Sequence, residues 1–256
     1  MTTAISFPVY IPLGPWLLHP HLVFETLAYF VGFRLYLWLR RRRGDVITDS
    51  TRWSVIAAAI AGAALGSKLL FWLEDPVQTW QHLGDVSFLL AGKTIVGGLA
   101  GGLIGVELTK KAFGVRESTG DLFAVPLAIG AAIGRIGCFL TGLSDQTYGI
   151  ATTLPWGVDF GDGIRRHPTQ VYETVFLALL AIILLRLARR PHTNGDIFKL
   201  FMAGYLGFRL LIDFLKPETR FGGLSSIQWA SLAILVYYAS GAYRRWRHGS
   251  LAGSRP

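Results

Sequence analysis

Two arginines lie among small and apolar residues. Arg135 sits in Gly130-Ala-Ala-Ile-Gly-Arg-Ile-Gly-Cys138, and Arg209 in Gly204-Tyr-Leu-Gly-Phe-Arg209 with Asp213 one helical turn later. A guanidinium supplies permanently charged, forked donors that suit a phosphate. The structural alternatives are an i,i+4 ion pair with Asp213 for Arg209, and a partner among Asp121, Asp213 and Glu25 for Arg135. A third group, Arg165-Arg-His-Pro-Thr-Gln-Val-Tyr-Glu173, places Arg166 and His167 just before a helix that Pro168 can open, with Gln170, Tyr172 and Glu173 on its first turns. Each of these polar residues could instead cap or anchor the helix. A fourth, Gly97-Gly-Leu-Ala-Gly-Gly-Leu-Ile-Gly105, serves close helix packing or leaves room for an acyl chain.

The elements that position these residues are membrane helices. The 256 residues are 52% hydrophobic and only 16% charged, against about a quarter charged in a soluble domain. Windows of about 20 residues give seven spans, at 20–39, 53–73, 88–108, 120–141, 168–187, 196–215 and 224–243. The net charge of +9 is distributed as a topology signal rather than as a nucleic-acid surface. Alternate segments flanking the spans, with Arg186 at the end of the fifth and the C-terminal tail included, carry fifteen Lys and Arg on one side and four on the other. The positive-inside rule then puts the N-terminus outside and the C-terminus in the cytoplasm, and that alternation needs an odd number of spans. The expectation is an all-α polytopic protein, one integral-membrane domain over 1–256, with an external loop at 142–167 rich in glycine and aspartate. The apolar arm before Pro20 has no basic n-region and is broken by prolines. It reads either as an interfacial segment or as a packed tail.

Charged residues inside spans are normally turned inward and paired, since each costs about 2.5–3.5 kcal/mol at the bilayer centre. Lys199 and Arg34 are near enough to span ends to snorkel, and Lys68 could pair with Glu74 or a lipid phosphate. Arg135 and Arg209 each lie six residues before the outer ends of their spans, at Thr141 and Leu215, about 9 Å at helical rise. At such a depth the phosphate to hold is that of a phospholipid head group. The single cysteine, Cys138, excludes an intramolecular disulfide and a multi-cysteine metal site. No metal and no cofactor are expected.

At these residues the sequence resembles the bacterial prolipoprotein diacylglyceryl transferases. The likeness rests on the glycine-rich helix Gly97–Gly105, the run Gly134-Arg-Ile-Gly-Cys-Phe-Leu-Thr-Gly142, Arg166-His-Pro-Thr-Gln-Val-Tyr-Glu173, and Tyr205-Leu-Gly-Phe-Arg209 followed by Asp213-Phe-Leu-Lys-Pro217. Tyr29-Phe-Val-Gly32 also fits. The resemblance implies a multi-pass bacterial inner-membrane enzyme. It would move the diacylglyceryl group of phosphatidylglycerol to the lipobox cysteine of prolipoproteins, with glycerol phosphate leaving. Its partners would be the phospholipid donor, the prolipoprotein acceptor and membrane lipids, with no nucleic acid. Arg135, Arg209 and Tyr205 match catalytic positions, and His167 has the most suitable unperturbed pKa for proton transfer. Arg166, Gln170, Tyr172, Glu173, Glu25, Gly97 and Gly98 would contact substrate.

The departures from the family pattern are specific. A Ser-Phe-His-Gly-Gly run is replaced by Thr94-Ile-Val-Gly-Gly98, so Val96 stands where a histidine is usual and cannot exchange a proton. The asparagines after the arginine become Cys138 and Thr141, and a glutamate becomes Leu143. Glu25 aligns with a tyrosine. Either the chain still lipidates prolipoproteins, with Glu25, His167, Asp145 or Lys93 handling the proton, or it serves another acceptor or head group. A non-catalytic phospholipid-binding protein is the third reading. Cys138 reads as a small core residue or as a nucleophile that briefly holds lipid.

Overall fold

The computed structural model describes residues 6–252, with side chains through 241. Nine α-helices dominate the described residues: α1 (Pro20–Arg43), α2 (Asp49–Trp72), α3 (Pro76–Gln81), α4 (Val86–Leu90), α5 (Ile95–Ala112), α6 (Asp121–Thr141), α7 (Thr169–Leu187), α8 (Asp196–Ile212) and α9 (Ser226–Ala252). Three antiparallel two-stranded ribbons accompany them: β1 (Ile11–Leu13) with β2 (Trp16–Leu18), β3 (Val158–Asp159) with β4 (Arg165–Arg166), and β5 (Arg220–Phe221) with β6 (Leu224–Ser225). The segments Pro20–Arg43, Asp49–Trp72, Asp121–Asp145 and Thr169–Leu187 are long and apolar enough to cross a membrane. The apolar arm before α1 is the β1–β2 hairpin, with Trp16 and Leu17 exposed.

The helices fall into two compact units. The first contains the chain up to Asp45, Ser118–Phe201 and Phe214–Pro217. Here α6 packs against α1 and α7. The α1–α6 contact is close because Gly137 has no side chain: a Cβ there would lie 2.6 Å from Cβ of Phe24. Tyr36 stacks on Phe123 with 4.7 Å between ring centroids, which fixes the same pair of helices one end to the other. Asp121 accepts hydrogen bonds from the backbone N–H of Gly195 (2.7 Å) and Phe198 (2.9 Å), so a carboxylate satisfies the orphan donors that open α8.

The second unit holds Val46–Glu117, Met202–Asp213 and the chain from Glu218 onward. Its core is the α2–α5 pair. A Cβ on Gly101 would sit 2.1 Å from the carbonyl oxygen of Gly62, and one on Gly97 would sit 2.4 Å from that of Gly66. The glycine-rich run is thus a small-residue seam of backbone on backbone. Ser225 and Gln228 form a reciprocal cap at the start of α9, at 2.9 and 3.1 Å, and the Gln228 amide donates to the Leu210 carbonyl at 2.8 Å.

The expected helix over 88–108 is interrupted. Asp85 caps α4, Gly92 adopts φ +53°, and Thr94 accepts from the Gly97 N–H to start α5. The Lys68 ammonium explains the break, donating to the carbonyls of Leu90, Ala91 (2.6 Å) and Gly92 (2.7 Å). A cation at a helix C-terminus satisfies orphan carbonyls, so Lys68 pairs with backbone rather than with Glu74. One smaller difference concerns Pro168, which stands at the cap of α7, with Thr169 first in the helix.

Candidate active site

In the first unit, α6 and α7 bring Arg135 and Glu173 together. The Arg135 Nε lies 2.8 Å from Glu173 Oε2, with side-chain exposures of 7% and 1%. Arg135 therefore pairs with Glu173, a residue outside the partners that its own sequence setting suggested. Such a pair balances two desolvated charges, and removing one partner strands the other. The Arg135 Nη1 also donates toward the Cys138 sulfur at 3.8 Å, one turn along α6. Gln170 is 1% exposed, and neither its amide nitrogen nor its amide oxygen makes a hydrogen bond among the described residues. Leaving a buried amide unsatisfied costs about 1–3 kcal/mol, so folding alone does not account for that residue.

The loop between α6 and α7 is ordered by its own backbone. The His167 N–H donates to Ile150 O (3.1 Å), and the Gly149 and Thr152 N–H groups donate to His167 O (2.9 Å) and Arg165 O (2.8 Å). The Thr169 hydroxyl ties the start of α7 to Thr147 O at 2.7 Å. On the β3–β4 ribbon, Arg166 bonds Asp162 at 2.6 Å and lies over the Tyr148 ring at 5.0 Å. That bond holds the Asp162 carboxyl below the usual range and raises the Arg166 guanidinium. His167 Nδ1 is 3.3 Å from the Tyr172 hydroxyl, which accepts from the Trp156 indole at 2.7 Å. The whole Arg166–Glu173 motif thus sits in one unit. It presents Gln170 and Glu173 to the core and Arg166, His167 and Tyr172 to the loop.

In the second unit, Arg209 Nη2 lies 2.7 Å from Asp213 Oδ1, both essentially buried. This is the helix-local pair that the i,i+4 spacing allows. Tyr205, one turn before Arg209, is 1% exposed. Gly97 is committed to packing on α2. A Cβ on Gly98 would meet only ordinary contacts, at 3.7 Å from Ala63 O and 3.9 Å from Ser67 Cβ.

One residue escaped the sequence reading. His21, in the first turn of α1, has Nδ1 2.8 Å from Asp145 Oδ1 and Nε2 3.4 Å from Glu25 Oε2. The Cys138 sulfur completes the cluster, with one donor atom each from His21, Cys138 and Asp145 lying within 4.8 Å of one another. The His21–Glu25 spacing of four is a same-face helical signal, but nothing local in sequence ties either residue to Cys138 or Asp145.

Comparison with known proteins agrees with the motifs. A family model described as prolipoprotein diacylglyceryl transferase matches residues 8–243. Among curated relatives, the phosphatidylglycerol--prolipoprotein diacylglyceryl transferase of Cupriavidus metallidurans is 32% identical, covering 97% of both chains. The protein of the same name from Bordetella parapertussis is 30% identical over 90% of this chain and 91% of its own. That from Clostridium tetani is 35% identical over 69% of this chain and 74% of its own.

Proposed function

The chain belongs to the prolipoprotein diacylglyceryl transferase family, and we propose that it transfers the diacylglyceryl group of phosphatidylglycerol to the lipobox cysteine of prolipoproteins. The family match across residues 8–243, with Arg135 and Arg209 inside it, carries this reading. The reaction substitutes a thiolate for a phosphate at a glyceryl carbon. It needs a cation where the phosphate departs and a deprotonated sulfur where it is replaced.

Arg135 is assigned to the donor's phosphate; Arg209, with Tyr205 one turn before it, keeps the phospholipid-binding role that its match to the family motif implies. Buried arginines with carboxylate partners suit this work, since a phosphate can share or displace the carboxylate without leaving the cation unpaired. Gln170 is assigned to substrate because its buried amide is otherwise unsatisfied. Arg166, His167, Tyr172 and Glu25 lie on the loop face or at the start of α1 and are assigned to the acceptor side. Glu173 acts through Arg135. Gly98 keeps its assignment to the acyl chains, and Gly97 contributes the helix packing beside it.

The membrane arrangement belongs to the same proposal: seven spans in the bacterial inner membrane, N-terminus outside, with 142–167 on the outer face where a lipobox cysteine arrives. The basic-residue asymmetry supports it. The test is rescue of a strain depleted of its own transferase. Restored growth and diacylglyceryl-modified lipoproteins are expected. Normal expression of the protein without lipoprotein modification would reject the assignment.

A further inference from the structure

We propose that His21, Cys138 and Asp145 bind a zinc ion whose fourth position takes the acceptor thiol as a thiolate. The catalytic half of this inference rests on the function proposed above; the metal site does not.

The donor set comes first. An imidazole nitrogen, a sulfur and a carboxylate oxygen converge from three places in the chain, the first turn of α1, the last turn of α6 and the 3-10 turn after α6. Sulfur and imidazole together select zinc among the common divalent ions. Zinc bonds of about 2.0–2.3 Å put tetrahedral donors roughly 3–4 Å apart, and the donor atoms here lie within 4.8 Å of one another. Three protein ligands are the number a catalytic zinc uses, because one position is kept for a reactant.

The outer contacts come second, and they are independent of the donors. A ligating histidine almost always gives its other ring nitrogen to a carboxylate. His21 turns Nδ1 to Asp145 at 2.8 Å and Nε2 to Glu25 at 3.4 Å. Glu25 is held in turn by the Tyr29 hydroxyl, which donates to Oε1 at 3.0 Å. The second oxygen of Asp145 accepts from the Thr147 hydroxyl at 2.6 Å. Two carboxylates and a thiol around one imidazole make an electron-rich cluster. The cation on its flank, Arg135, is already neutralised by Glu173 at 2.8 Å. Cys138 and Asp145 are mostly buried, while His21 is 31% exposed. The entry is therefore on the imidazole side.

The chemistry follows. A thiol that coordinates a bound cation is deprotonated outright, so the metal replaces the base that Val96 cannot be. The acceptor cysteine releases its proton to solvent on binding. Its sulfur then forms the bond to the glyceryl carbon, and the carbon–oxygen bond to phosphate breaks. The electron pair leaves on glycerol phosphate, and zinc stays divalent throughout. Arg135, in contact with Cys138, keeps the departing phosphate beside the attacking sulfur. Cys138 itself is excluded as a relay nucleophile, because a thioether formed on it offers no leaving group for a second transfer.

The experiment uses the detergent-purified full chain, stripped of metal and titrated with cobalt(II), whose thiolate charge-transfer absorption reports a Cys138–metal bond. One equivalent should bind with that band. Cys138→Ser should abolish it, and His21→Ala and Asp145→Ala should each remove stoichiometric binding. Glu25→Gln, a positioning change, should weaken affinity roughly 10–100-fold. Adding a lipobox peptide should intensify the band, and its cysteine-to-serine version should not. Size-exclusion profiles matching the natural protein separate loss of ligands from loss of fold. No band in the natural protein, or full transfer by metal-free protein, would overturn the inference. A cobalt band that the three ligand variants abolish, in a protein that lipidates no peptide with zinc restored, would overturn the functional reading and leave the metal site standing.

Discussion

Replacing Arg135 should separate its structural role from its chemical one, because the structure shows which partner it would strand. Glu173 is 1% exposed and lies 2.8 Å from the guanidinium. Arg135→Ala leaves that carboxylate buried without its cation, a loss of about 3–5 kcal/mol. In a chain of this size that corresponds to a fall of roughly 10 °C in the thermal midpoint. Arg135→Ala/Glu173→Gln removes the stranded charge and should recover most of the midpoint. Transfer activity should not recover with it, since loss of one stabilising donor at the departing group is worth about 10²–10³ in rate. Arg135→Lys keeps the charge but loses the fork, and should be nearly as damaging to activity as alanine. The assay is thermal unfolding in detergent alongside lipidation of a lipobox peptide from phosphatidylglycerol vesicles. A stable and active double variant would refute the reasoning, by showing that Arg135 exists to neutralise Glu173.

Other outcomes follow from the structure and from the charge pattern of the sequence. Gly101→Leu should prevent folding, because its Cβ would lie 2.1 Å from the Gly62 carbonyl, whereas Gly98→Ala should fold normally and lose activity if acyl chains pass there; yield and monodispersity read the first point, lipidation the second. Gly137→Ala should push Phe24 and α1 away from α6 and reduce activity at nearly unchanged expression. A reporter fused at Gly161 should be active only on the outer face, and cytoplasmic activity would invert the proposed topology. The Asp162 carboxyl is held below its ordinary value by Arg166, so the ribbon keeps this bond at neutral pH and loses it only as pH falls below about 3.9. Pepsin cleavage within 155–166 should rise there, and Asp162→Asn should show the same cleavage at both ends of that range.

The membrane character, the helix positions and the arginine motifs were legible because each is written locally, in hydropathy runs and in residues a few positions apart. Arg209 with Asp213 was readable for the same reason. The partner of Arg135 was not. Glu173 belongs to a motif read as substrate-facing, and only the packing of α6 on α7 turns it inward. The partners of Lys68 within the chain were not legible, because they are backbone carbonyls, which no side-chain inventory reveals. The break before α5 followed from that contact, since an apolar window hides a helix end that Asp85, Gly92 and Thr94 mark plainly. His21 was missed because Asp145 and Cys138 reach it from distant sequence.

The most direct test of the central claim is mass spectrometry of a lipobox peptide incubated with the purified, metal-replete chain in phosphatidylglycerol vesicles. The expected product is the peptide with a diacylglyceryl thioether on its cysteine and one glycerol phosphate released per modified peptide. It should be absent with a serine peptide and with Arg135→Ala/Glu173→Gln. An unmodified cysteine in the presence of folded protein, or modification that proceeds equally in the double variant, would contradict the account.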